Sequence, residues 1–211
     1  DTSNYKTEII FKTHNNTAYS DYSENRREEC HTIINQDYNY VTNSEAVKSF
    51  WLERLEEVKG QDIVYTIGMR GLHDGSMQGT KTKEDKLRYL QQAIDDQREM
   101  LRSTVNAEVA SVPQVFVPYK EVLDIYRSGL QVPDDVTLMW TDDNYGYIRH
   151  FPDSVEQMRA GGNGLYYHVS YWGRPHDYLW LGTFSPFLMR QQLTEAYQRG
   201  IQQMWILNVG D

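Results

Sequence analysis

The chain has 211 residues, a net charge of −9 and one cysteine, Cys30, so it is long enough for a sizeable core but cannot form an intrachain disulfide. The acidic balance argues against nucleic acid, whose binders carry a basic face, and no stretch approaches the roughly 18 apolar residues of a membrane span. Aromatics make up 13% of the chain, with 16 Tyr and 5 Trp; such rings pack cores and surfaces, and a flat apolar face with a polar edge also complements a pyranose.

Residues 1–43 are polar and lack a long apolar period, so they read as an irregular N-terminal segment. From Ser44 the pattern becomes regular. Val47, Phe50, Trp51, Leu55 and Val58 recur at helical spacing, with Asn43 or Ser44 to cap the start and Gly60 to end it. A β-rich run at 63–67 follows, then a loop holding Arg70, His73 and Asp74 between glycines. Thr82 with Asp85 forms a capping-box pattern ahead of a stripe of Leu87, Leu90, Ile94, Leu101 and Val105. The next strand, 114–117, ends in Pro118, Tyr119 and Lys120, and a helix through Val122, Leu123 and Tyr126 closes at Gly129.

A third strand at 136–140 ends in Thr141, Asp142, Asp143, Asn144, Tyr145 and Gly146, and a short helix is expected at 154–160. Gly161, Gly162, Asn163 and Gly164 precede a strand and read as a turn, not a phosphate cradle. The fourth strand, 165–169, contains His168 and leads into Ser170, Tyr171, Trp172, Gly173 and Arg174. Ser185 caps a helix with Pro186 at its first position and Gly200 at its end, and the fifth strand, 204–207, leads to Asn208 and Asp211.

Strands and helices thus alternate five times, and the strands are continuous apolar runs, as in parallel sheets buried on both faces. The expected fold is α/β, a partial (β/α)8 barrel of about five parallel strands, with residues 44–211 as its later part. Every strand ends in a polar, aromatic-rich segment. In a β/α-barrel such ends converge on one mouth. Five units do not close eight strands, so the expectation is the remainder of a longer chain or a second copy beside it.

Five segments carry a family likeness: 65–77 (YTIGMRGLHDGSM), 115–126 (VFVPYKEVLDIY), 140–151 (WTDDNYGYIRHF), 164–181 (GLYYHVSYWGRPHDYLWL) and 205–211 (WILNVGD). In these the sequence resembles glycoside hydrolase family 115, the xylan α-glucuronidases. The family's His-x-Glu-Pro segment has no counterpart in residues 1–43, which hold no proline. The resemblance implies release of glucuronic acid, often 4-O-methylated, from α-1,2 linkages on glucuronoxylan, with inversion. It implies no cofactor and a polymer substrate outside the cytoplasm, hence a secreted or periplasmic protein.

Glycoside hydrolysis uses a proton donor and a base, usually two carboxyls. Asp142 and Asp143 are the catalytic candidates; neighbours in an extended segment point opposite ways, so only one is expected to face the mouth, with Asp142 leaving the strand first. Loop hydrogen bonding is the plainer alternative for both. Arg70 could grip the uronate in a bidentate contact, and Lys120 beside Tyr119 could add a second cation. His73, Asp74, Asn144, His168, Arg174, His176, Asp177 and Asn208 could bind hydroxyls, and Tyr171 or Trp172 could stack on xylose. Two other readings compete. One is a metal-dependent barrel hydrolase using His73, Asp74, Asp142, His168, His176 and Asp177, although no HExxH or His-x-His spacing occurs. The other is a carbohydrate-binding barrel remnant without turnover.

Overall fold

In a computed structural model of the chain, residues 38–71, 75–170 and 184–208 are described. Among them α1 (Ser44–Glu57), β1 (Tyr65–Ile67), α2 (Lys83–Thr104), β2 (Gln114–Phe116), α3 (Glu121–Arg127), β3 (Thr137–Thr141), β4 (Asn163–His168), α4 (Pro186–Gln198) and β5 (Trp205–Asn208) follow one another. The strands stand in chain order in one sheet, β1-β2-β3-β4-β5. That is the strand order of a repeated β/α unit, and the fold class is the expected α/β partial barrel. The chain divides into two compact units: residues to Val115 with Glu121–Val132, and Phe116–Lys120 with Pro133 onward.

In the first unit, α1 buries Val47, Trp51 and Leu55, and α2 buries Leu90, Ala93, Ile94 and Leu101. Each fully buried Leu or Ile contributes about 1.5–3 kcal/mol. The Thr82–Asp85 capping box forms: the Thr82 hydroxyl accepts from Asp85 N at 3.0 Å, and the Asp85 carboxylate accepts from Thr82 N at 3.3 Å. Asn43 occupies the N-cap of α1 but makes no side-chain cap bond. Tyr40 stacks on Trp51 at 5.7 Å, and its hydroxyl donates to Asp96 Oδ2 of α2 at 2.5 Å. Gln97, fully buried on α2, accepts from Gly68 N at 2.7 Å and donates to Gly68 O at 3.2 Å, so one amide satisfies the backbone where β1 ends.

In the second unit, β3 and β4 pair in parallel with Trp140 beside Leu165 and Thr141 beside Tyr166. β4 and β5 pair in parallel with Tyr166 beside Ile206 and His168 beside Asn208. Asn163 and Gly164 open β4 rather than completing a turn. A Cβ at Gly164 would lie 2.2 Å from Met139 Sδ, so the sheet admits no side chain there. The helix expected at 154–160 is a single 3-10 turn, Glu156–Met158. Asp153 Oδ1 accepts from the amides of Val155 and Glu156 at 2.8 Å each, and Asn163 Nδ2 donates to the Glu156 carbonyl at 2.8 Å. These side chains satisfy groups a longer helix would need.

Pro186 does open α4, yet Ser185 makes no side-chain cap bond. β1 and β2 are buried throughout and β3 and β4 nearly so, as the apolar runs suggest. β5 differs: its residues alternate between exposed and half-buried.

Candidate active site

The carboxyl ends of β3 and β4 build a hydrogen-bonded pair from residues 26 apart in sequence. Asp142 follows β3, and His168 is the last residue of β4. His168 Nδ1 lies 2.7 Å from Asp142 Oδ1, and the same oxygen accepts from His168 N at 3.0 Å. Asp142 Oδ2 accepts from Asn144 N at 2.9 Å and Gly146 N at 3.3 Å. A carboxylate only accepts, so the proton sits on Nδ1 and the Nε2 edge of the ring points away from Asp142. The Asp142 side chain is fully buried and that of His168 nearly so. One backbone contact and one ring contact, both to Asp142 Oδ1, hold His168 as a unit.

The turn that supplies Asp142 is braced from outside. Asp142 forms an isolated bridge with Ile148, whose amide donates to Gln192 Oε1 of α4 at 2.7 Å. Tyr167 donates from its hydroxyl to Gly146 O at 2.9 Å. Gly146 has φ +87°, and an added Cβ would meet Tyr167 Oη and Leu188 Cδ2 at 3.0 Å. Both the conformation and the space therefore require glycine at this position.

Polar groups surround the imidazole. Tyr166, two residues back on the same strand face, meets the His168 ring edge-on at 5.2 Å. Its hydroxyl accepts from Asn208 Nδ2 at 3.0 Å, which brings the predicted Asn208 to the cluster. Burial pushes the Tyr166 phenol above its usual range; the Asn208 bond works the other way and the Asp142 charge adds to the rise. Tyr166 is thus a neutral hydroxyl at ordinary pH. Tyr119 lies 6.3 Å from the His168 ring and donates to Asn144 Oδ1 at 2.9 Å. Lys120 holds its ammonium 4.9 Å over the Tyr119 ring, a cation–π contact. Lys120 and Asn144 are the non-glycine residues with positive φ, 51° and 69°, among those described.

Asp143 turns the other way. Its Oδ1 accepts from Tyr145 N at 3.0 Å and Tyr147 N at 3.1 Å, and its Oδ2 from Arg149 Nε at 2.7 Å. In the first unit, Arg70 forms a fork with Glu121: Nε to Oε1 at 3.0 Å and a terminal nitrogen to Oε2 at 2.9 Å. The arginine side chain is 8% exposed and the glutamate side chain 26%. Glu121 was not among the residues singled out from sequence. Its position directly after Lys120, at a strand end, was the available signal. Tyr166 and Gln192 were also missed, one hidden inside an apolar strand and the other on a helix.

His73, Asp74, Tyr171, Trp172, Arg174, His176, Asp177 and Asp211 lie outside the described residues. Among the described residues, no three His, Cys, Asp or Glu side chains stand together to hold a metal. Of the ligand types named for a metal site, Asp142 and His168 are described, and they bind each other.

A buried Asp–His pair thus stands at parallel strand ends, and the sequence profile of Glycosyl hydrolase family 115 matches residues 6–211. The chain belongs to this family. A similar solved structure is that of a novel family 115 4-O-methyl-α-glucuronidase with specificity for decorated arabinogalactans; it is 65% identical, with a TM-score of 0.80. The match covers 82% of this chain and 23% of the solved one, so the chain spans about a quarter of that family member's length. A search of curated proteins found no match. No helix among the described residues is long and apolar enough to cross a membrane.

Proposed function

We propose that the chain contributes to the catalytic barrel of a hydrolase that releases glucuronic acid, plain or 4-O-methylated, from α-1,2 linkages on glucuronoxylan, with inversion. The observation that carries this reading is the Asp142–His168 pair amid neutral hydrogen-bonding side chains, in a chain of family 115. Asp142 holds four contacts and acts as a fixed acceptor, so its role is to position His168. The Nε2 edge of His168, with Asn144, Tyr119, Tyr166 and Asn208, matches the alternating donors and acceptors of sugar hydroxyls. Lys120, beside Tyr119, offers the uronate a cation.

In the inverting step an acid protonates the glycosidic oxygen as its bond to the anomeric carbon breaks. A base about 6.5–9.5 Å from the acid takes a proton from the attacking water. Glu121 and Asp143 are the remaining described strand-end carboxyls to test in these roles. A polymer substrate places the enzyme outside the cytoplasm, which cell fractionation would check.

The test is chromatography of uronic acid released from glucuronoxylan oligosaccharides, with the anomer read by proton NMR. The specificity of the similar enzyme makes decorated arabinogalactan the second substrate to assay. His168→Ala and Asp142→Asn should lower release by about 10²-fold or more. No uronic acid from either polymer, or variants as active as the parent, would overturn the proposal. One observation favours a second reading, binding without turnover: internal donors occupy both oxygens of Asp142 and of Asp143. Calorimetric binding without release would select it.

A further inference from the structure

The segment after β3 carries a second feature that the dyad does not use. Asp143 organises it from below: one oxygen gathers the amides of Tyr145 and Tyr147, and the other holds Arg149 at 2.7 Å. Asp143 N donates to Tyr147 O at 2.9 Å and closes the turn. Arg149 then lies 5.0 Å over the Tyr147 ring, which fixes one face of that ring. The two tyrosines are 39% and 44% exposed and Arg149 is 65% exposed at its side chain. Exposed aromatics on a loop lose entropy when they bind; here the backbone beneath them is already tied down. Tyr147 follows Asn144 by three residues, so the chain keeps it within about 11 Å of a cluster that suits a sugar.

We propose that Tyr145 and Tyr147, set by Asp143 and Arg149, form a rim that stacks on the uncharged pyranose main chain from which the glucuronate branches. This rests on the reading above that the dyad cluster serves the uronate. A branched substrate needs two different surfaces. The branch sugar is charged and suits buried hydrogen-bonding groups. The main chain is neutral and presents C–H faces, which suit exposed rings. The chemistry fits a pentose or a hexose main chain alike, so the test carries both.

Unbranched xylo-oligosaccharides and galacto-oligosaccharides are titrated into the protein by calorimetry, with free glucuronic acid in a parallel series. No hydrolysis is required, so failure of the enzymatic reading and failure of the rim are separable. One oligosaccharide series is expected to bind. Tyr147→Ala should weaken it about three- to tenfold more than it weakens glucuronic acid, with Tyr145→Ala acting in the same direction. Tyr147→Phe keeps the ring and should retain binding, which also controls for misfolding. The proposal is overturned if neither series binds, if Tyr147→Ala binds like the parent, or if Tyr147→Phe loses as much as Tyr147→Ala.

Discussion

Arg70–Glu121 and Asp142–His168 are both hydrogen-bonded pairs with a carboxylate member that follow strands of the same sheet, yet they are built on different plans. In the first, the buried member is the cation, and its carboxylate partner remains a quarter exposed. Arg70 meets Glu121 through a two-pronged fork of side-chain atoms. In the second, both members are buried, and three backbone amides besides the imidazole reach the carboxylate. A fork of side chains can open without unmaking any backbone structure. A carboxylate bonded to three amides of its own surroundings cannot move without unmaking the turn and the end of β4. The difference separates a pair able to open from one suited to holding a ring still.

The largest expected effect tests that rigidity. Asp142→Ala would strand buried amides and the imidazole, and should cost about 3–5 kcal/mol of stability. Arg70→Ala should cost less, about 1.5–3 kcal/mol, because water reaches Glu121. Denaturant midpoints compared at unchanged slope measure both. Equal losses would break the contrast.

Next in size is the brace. Gln192→Leu keeps the side-chain volume but leaves the Ile148 amide buried without its acceptor, for a loss of about 1–3 kcal/mol. Faster hydrogen exchange at Ile148, with exchange at Gly68 as before, would localise the effect to the Asp142 turn. Exchange unchanged at both would show that the turn stands without α4.

The smallest effect sharpens the electrostatics. Tyr167 is pushed up to about 12, mainly by burial, with Asp142, Asp143 and Tyr147 adding. Its folded form therefore holds the proton more tightly than the unfolded chain does. The contribution is complete below about pH 10, the ordinary tyrosine range, and is lost as pH rises toward 12. Melting temperatures between those limits should fall as the hydroxyl bonded to Gly146 ionises. In Tyr167→Phe this component of the fall should be absent.

These contrasts also show how far the linear pattern could be read. Apolar periodicity placed α1 through β5 within a few residues, because one stripe or one run must be buried whatever its partner. Thr82 with Asp85 and Pro186 announced helix starts, since each acts on backbone groups within its own first turn. Gly60, Gly129 and Gly200, expected to close helices, all have positive φ. Two readings gave way to tertiary contacts: Asn163 and Gly164 open β4 instead of completing a turn, and the helix expected at 154–160 is one turn whose Glu156 carbonyl accepts from Asn163 Nδ2.

Asp142 and Asp143 are adjacent in sequence and identical in type, and the chain order alone could only say that they diverge. The fold decided which one meets His168, because that choice depends on how β3 lies beside β4. Glu121 opens α3, and only the fold shows that Arg70, 51 residues earlier, grips it. Gln192 and Tyr166 carried no signal at all, since a hydrogen bond to a backbone amide or a neighbouring ring leaves no spacing in the sequence. Strand-end polarity and family likeness were thus written in the residues themselves. The pairing of charges and the direction of each carboxylate came from tertiary contacts, because hydrogen bonds are short and the groups they join are far apart along the chain.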